Sequence, residues 1–233
     1  MKKKMKILIT SGPTRGPIDA MRYITNKSSG RLGTEIAIEA LKQDADVTFI
    51  YGKGSITPDI KDIGEQLYSN LKFIEVETVD DLIKSINQEL NKENYYAVIH
   101  SIAVLDYVPD KYIDDKVASG KDEWTIRLIK TPKAIKIVKE INPDVFLVGF
   151  KLEVGKTRKE LVKIAYKTLL KSDADLIIAN DLKDLERGEH IAYFVNPKGE
   201  IIDIQTGKKN IAKKLIELIV NRVRLRQGKI VRS

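Results

Sequence analysis

The chain of 233 residues has no cysteine, two histidines, one tryptophan and an aromatic content of only 6%. The absence of cysteine excludes disulfides, thiolate nucleophiles and cysteine-bound zinc or iron–sulfur centres together. Two imidazoles, His100 and His190, are too few for a histidine-rich metal cage, which would need both of them plus carboxylates. No apolar run approaches the roughly 20 residues that span a bilayer, and the basic start MKKKMKILIT has neither the apolar length nor the small-residue cleavage site of a signal peptide. The expectation is a soluble, cytoplasmic protein. Few aromatics, and basic residues mixed with acids, argue against an extended stacking surface for nucleic acid.

What is present is charge of one sign in excess and a regular alternation of elements. The formal net charge of +8 favours anionic partners such as nucleotides or phosphorylated metabolites. Part of it sits at 221–233, NRVRLRQGKIVRS, which reads as a solvated basic tail. Short apolar, β-rich runs recur at 6–10, 46–51, 72–77, 96–101, 145–150 and 175–180. Segments of helical period lie between most of them; Leu161, Ile164, Ala165, Thr168 and Leu169 fall on one face. This pattern predicts an α/β fold: a three-layer, Rossmann-like, mostly parallel sheet with helices on both faces.

Two stretches break the rhythm. Residues 105–131 predict a loop feeding an antiparallel flap through the alternating EWTIRLI, and 191–205 predict a hairpin turning at Asn196-Pro197-Lys198-Gly199. A last helix follows, marked by Ile211, Leu215, Ile216, Leu218 and Ile219. With no repeat and no low-complexity linker, residues 1–233 are expected to form one domain.

In such a sheet, ligands bind beyond the carboxyl ends of the strands. The segments expected there are SGPTRGPID, SIAVLDYVPD, FKLE and NDL. The first leads into TNKSSGRLG at a helix entrance, where free backbone N–H groups and the helix dipole favour an anion. Neither a P-loop nor a G-x-G-x-x-G fingerprint is intact. Tyr112 and Lys116 have the Y-x-x-x-K spacing of short-chain reductases, but Pro109 before them and Gly120 after them disfavour the helix that chemistry requires. No ribose-gripping acid follows the second strand in FIYGKGS, which weighs further against an oxidoreductase.

Four segments in order, LITSGPTRGPIDAMRYITNKSSGRLG, AVLDYVPD, LVGFKLE and DADLIIANDL, resemble the signatures of the phosphopantothenate-cysteine ligase family, in its stand-alone prokaryotic form. The resemblance implies that cysteine is joined to 4'-phosphopantothenate in coenzyme A biosynthesis, with CTP activating the carboxylate as an acyl-cytidylate, Mg2+ carried chiefly by the triphosphate, and a homodimer. It further implies site residues. Asn26 matches an asparagine that contacts the activated acyl group, with its amide N–H2 aimed at the oxyanion. Lys116 matches the first lysine of a K-x-K-K flap, although Ala118 and Ser119 replace the later two, so that either Lys116 acts alone or Lys121 contributes. Arg22 matches an arginine that reaches a partner subunit, and Gly12, Thr14, Ser28, Ser29 and Gly30 belong to the substrate loop. Lys27 stands where many members have histidine. For the nucleotide, the resemblance implies Asp106, the helix start Pro132, Lys133, Ala134 and Ile135, the aromatic Phe150, the phosphate-binding pair Lys167 and Lys171, and Asn180 with Asp181 at a strand end.

Overall fold

A computed structural model describes residues 4–120 and 122–230, without the side chains of 226–230. The order is β1 (Lys6–Ser11), β2 (Arg15–Pro17), β3 (Tyr23–Thr25), α1 (Arg31–Lys42), β4 (Asp46–Gly52), α2 (Ile60–Ile63), α3 (Glu65–Tyr68), β5 (Leu71–Val76) and α4 (Val79–Lys92). It continues with β6 (Ala97–His100), β7 (Tyr107–Pro109), β8 (Leu128–Lys130), α5 (Ala134–Ile141), β9 (Phe146–Glu153), α6 (Arg158–Ser172), β10 (Leu176–Asp181), α7 (Leu182–Glu186), β11 (Ile191–Val195), β12 (Ile201–Thr206) and α8 (Lys208–Ile230).

Eight strands make one sheet in the order β12-β11-β10-β9-β6-β1-β4-β5. The six from β5 to β10 run parallel, and β11 and β12 add an antiparallel hairpin at the edge. Apolar side chains alternate across the sheet because successive strand residues point to opposite faces. Ile7, Ile9, Phe49, Ile99 and Val148 face α1 and α8. Leu8, Ile50, Val98 and Leu147 face α4, α5 and α6. The three-layer expectation therefore holds.

The chain leaves β1 toward β4 on one side and returns through β5 and α4 to β6 on the other, so the order in which the parallel strands are laid down reverses between β1 and β6. That is the topological switch point, where a crevice opens at the carboxyl ends. Two small antiparallel ribbons stand over this end of the sheet, an arm (β2 with β3) and a flap ribbon (β7 with β8).

Several details differ from the sequence reading. The FKLE stretch is strand, because β9 runs on to Glu153, and NDL begins inside β10. Only Leu128–Lys130 of the alternating flap stretch is strand, since β7 supplies just three partners. The arm is ribbon where the sequence suggests only a loop, because strands of three residues containing Gly16 and Pro17 carry no alternation. The tail at 221–233 continues as α8 to Ile230, and Arg222 is not free: its guanidinium lies 4.7 Å from the Phe146 ring centre. Tyr112 and Lys116 lie in non-helical flap, so they do not share the helix face that reductase chemistry needs.

Candidate active site

The crevice floor is made where the loops after β1 and β6 run side by side. Ala103 N–H donates to the Gly12 carbonyl at 2.8 Å, and Thr14 N–H donates to the Ala103 carbonyl. Gly12 is held at φ +79, and a Cβ there would fall 1.8 Å from Ser55 Oγ, so glycine alone fits this turn. The first turn of α1 lies directly on the strand ends: a Cβ on Gly33 would come within 2.3 Å of Ser11 Oγ. Ser11 Oγ donates to the Gly30 carbonyl, which ties the helix entrance to β1.

Gly30 is the N-cap of α1 and has no side chain to cap with, and no acid occupies the first turn. Ser29 Oγ gives Arg31 N–H a weak contact at 3.4 Å, while the other leading amides of α1 have no side-chain partner. A twelve-residue helix thus presents open N–H groups and the positive end of its dipole at the switch point, with Ser28 and Ser29 at its mouth.

Asn26 does not cap this helix. Its Nδ2 donates to the carbonyls of Ala103 and Val104, each at 3.1 Å. Carbonyls only accept, so both amide protons are spent and Oδ1 is the free atom. The expected donation from Asn26 to an oxyanion is corrected accordingly: the group left over is an acceptor. Thr14 is also corrected. Its side chain is fully buried, accepting from Leu105 N–H, and cannot touch substrate. The carbonyl of Thr14 takes the Thr25 hydroxyl, so Thr14 fastens the arm to the β6 loop.

On the nucleotide side, Asp106 and Lys133 meet. Lys133 Nζ donates to the Asp106 carboxylate, and Thr131 bonds Leu105 and Asp106 through its hydroxyl and amide. Asp106 keeps 61% of its side chain exposed, so it can exchange this partner for a ligand. Lys133 is the N-cap of α5, which begins with Ala134 and Ile135. Pro132 precedes the cap rather than sitting in the first turn. Phe150 is half-buried in β9 against the face that carries α1. Asn180 is buried near the end of β10. Asp181 accepts from the amides of Lys156, Lys183 and Gly155, which hold its carboxyl below the usual range, so it organises a loop.

Lys167 and Lys171 are not brought into this crevice. Helix α6 runs back from the carboxyl end of β9, and a rise of 1.5 Å per residue carries Lys167 about 14 Å down and Lys171 about 20 Å. Tyr166 confirms the direction: it lies against Gly199 in the hairpin turn, which the antiparallel β11 puts at the opposite edge. Lys167 and Lys171 do lie one turn apart on α6, but a helix face has no sheet end until the topology assigns one.

Lys116 is exposed, and its ammonium has no partner among the described residues; Lys121 lies outside them. Arg22 holds its own chain, pairing with Asp19 and lying over Trp124. A cavity of about 680 Å³ lies next to this crevice, between the arm, the flap ribbon and the start of α4. Of the expected residues it is lined only by Arg22 and Pro132. Asp19, Trp124, Ser11 and Ser101 were not singled out from sequence. Asp19, three residues before Arg22, was the one with a visible signal.

These features define a Rossmann-like α/β protein with an anion-accepting helix end at its switch point. The chain belongs to the DNA/pantothenate metabolism flavoprotein C-terminal domain family, which it matches over residues 2–223. It is 40% identical over 190 residues to the coenzyme A biosynthesis bifunctional protein CoaBC of Thermococcus kodakarensis, covering 82% of this chain and 44% of that protein. The CoaBC of Methanocaldococcus jannaschii is 29% identical over 220 residues, 94% of this chain and 51% of that protein. The chain thus spans about half the length of these relatives. Among solved structures, the DNA/pantothenate metabolism flavoprotein from Streptococcus pneumoniae superposes with a TM-score of 0.81 at 36% identity, covering 94% of this chain and 99% of that one.

Proposed function

We propose that the chain joins L-cysteine to 4'-phosphopantothenate, with CTP as the activating nucleotide. The observation that carries this reading is the uncapped α1 N-terminus at the switch point, beside Asn26 and opposite Asp106, in a chain whose relatives are coenzyme A biosynthesis proteins. A carboxylate resists attack by an amine. One of its oxygens attacks the α-phosphorus, pyrophosphate leaves, and the amine then displaces CMP from the acyl carbon with loss of a proton.

The chain's part is to hold charge and orient groups. The open amides of α1, with Gly12, Ser28, Ser29 and Gly30 shaping the mouth, take the acyl and phosphoryl oxygens. Asn26 Oδ1 accepts from the incoming cysteine amine, orienting its lone pair toward the carbonyl carbon. Asp106 takes the ribose hydroxyls, releasing Lys133 toward phosphate. Phe150 and the α5 start border the base, with Asn180 behind them. Lys116 brings a mobile positive charge from the flap.

Among the described residues no group of three or more potential ligands could cage a metal ion. Mg2+ would arrive on the triphosphate, with the Asp106 carboxylate within the same crevice, and would neutralise phosphate charge. We also propose a homodimer. Met21, Tyr23, Tyr107, Tyr112, Ile113, Leu128 and Ile129 are exposed apolar side chains gathered on the arm and flap, a patch that a second copy would cover. No described helix is long and apolar enough to cross a membrane, and we place the reaction in the cytoplasm, where nucleoside triphosphates are kept.

The test is pyrophosphate release from the purified chain with Mg2+, phosphopantothenate and either CTP or ATP, with and without cysteine, followed by product mass. Release with CTP and a phosphopantothenoylcysteine mass only when cysteine is present support the reading. Release with ATP alone overturns the nucleotide, and no release with either overturns the reaction.

A further inference from the structure

The flap carries Lys116, and its attachment to the arm is unusual. The Asp19 side chain is wholly buried, although it lies on a short exposed ribbon. Its Oδ1 accepts from the amides of Met21 and Arg22 at 2.9 and 2.8 Å, which closes the arm's turn. Its Oδ2 accepts from Arg22 Nε and Nη2, and also from Val117 N–H at 3.2 Å. Arg22 Nη2 in turn donates to the Val117 carbonyl at 2.8 Å. Both backbone polar groups of one flap residue are therefore gripped by one acid–base pair 95 or more residues away in sequence. Two further contacts flank the grip. Ile113 N–H donates to the Ile18 carbonyl at 3.1 Å, and the Arg22 guanidinium lies 4.6 Å from the Trp124 ring centre.

We propose that Asp19, acting with Arg22 and Trp124, is a positioning residue: a latch that docks the flap on the arm and sets where Lys116 stands over the crevice. Val117 is the next residue after Lys116, so fixing its two peptide groups leaves the Lys116 Cα a fixed 3.8 Å away. The side chain keeps its reach while its base is held. The carboxylate suits this task because its bonds within the arm keep it fixed, so undocking gives up the paired Val117 bonds to Asp19 and Arg22, which favour the docked flap. The Arg22 bonds also hold the Asp19 carboxyl well below the usual carboxylate range, so the latch stays charged at working pH. The inference rests on the proposed ligase reading for the task of Lys116, but the docking itself does not.

The test exploits Trp124, the only tryptophan in the chain. In Asp19→Asn the amide nitrogen cannot accept from Arg22 or Val117, and the full-length variant is compared with the unaltered chain by tryptophan emission and acrylamide quenching without substrates. The expected result is a shifted emission and about twofold stronger quenching with unchanged far-UV circular dichroism. Turnover should fall by about tenfold, in kcat and with KM for phosphopantothenate held, and Asp19→Asn should add nothing in a Lys116→Ala background.

Unchanged quenching overturns the latch. Changed quenching with a full further loss in the Lys116→Ala background overturns the positioning role. If the unaltered chain makes no product, the ligase reading fails with the catalytic role given to Lys116, while quenching still decides the docking. Should Asp19→Asn not fold, Trp124→Leu serves: kcat falls about threefold and Trp124→Phe, which keeps a ring for the guanidinium, restores it. Equal activity in Trp124→Leu and the unaltered chain overturns the proposal.

Discussion

The parallel sheet and the two ribbons above it are held together by different physics. The sheet buries Ile7, Leu8, Ile9, Phe49, Ile99 and Leu147 completely, in two apolar clusters on its two faces. The arm and flap leave Met21 67% and Tyr107 54% exposed, and are tied to each other by the Asp19 carboxylate with its partners, the Ile113–Ile18 backbone bond and the Arg22 guanidinium over Trp124. Burial is non-directional and accumulates over many residues, so it makes a scaffold that tolerates local change. Directional bonds to one residue make a segment that is either docked or released. The crevice lies between the two, with its helix end on the rigid side and Lys116 on the other.

The widest break in the comparison comes from the sheet. Phe194→Ala should cost about 3–5 kcal/mol in denaturant unfolding, since the ring is fully buried within the apolar cluster that α8 covers. An exposed ribbon change such as Met21→Ala should cost under about 0.5 kcal/mol.

Acid should act on the sheet side as well. Burial pushes both His100 and His190 down to about 4, with the Lys208 charge adding to the effect at His190. The unfolded chain takes up protons first as pH falls below the ordinary 6.5, so stability is full above that value and is lost toward pH 4. The loss is about 3 kcal/mol per histidine at most, and His100→Gln should flatten its share in a pH series of unfolding curves.

Gly12→Ala should lower stability by about 2 kcal/mol, because the new Cβ enters Ser55 at a left-handed φ. It should also weaken substrate binding, as isothermal titration would report. At the small end, Lys133→Ala should leave stability within about 1 kcal/mol, because its pair with Asp106 is exposed. The nucleotide KM should nevertheless rise several-fold, on the order of 1 kcal/mol of lost contact with phosphate. A stability loss larger than the KM effect would mean that the pair is structural.

How much of this was legible in the sequence follows the same division. Apolar runs such as KILIT and VFLVGF announced the sheet because a strand covered on both faces has almost no polar positions to confuse the reading. The face of α6 marked by Leu161, Ala165 and Leu169 was equally plain, and those residues are buried. The arm was not, since Arg15-Gly16-Pro17 has no period.

At the crevice, residue types were readable and atoms were not. Asn26 stands at the switch point, but which end of its amide is free depends on the carbonyls of Ala103 and Val104, set by another strand. Thr14 looked like a substrate hydroxyl, and only the packing of the arm against the β6 loop buries it. Lys167 and Lys171 share a helix face, yet the direction of α6 along the sheet decides which edge that face serves. The latch role of Asp19 was not readable because Val117 reaches it, and Trp124 reaches its partner Arg22, only through tertiary structure.

The central claim is that a substrate carboxylate oxygen bonds to the α-phosphorus of the nucleotide in this crevice. Phosphopantothenate labelled with oxygen-18 in its carboxylate should be turned over with CTP, Mg2+ and cysteine, and the products weighed by mass spectrometry. The account predicts one labelled oxygen in CMP and none in pyrophosphate, since cleavage by the amine leaves the attacking oxygen on the nucleotide. Label in released orthophosphate, or product formed with unlabelled CMP, would contradict it.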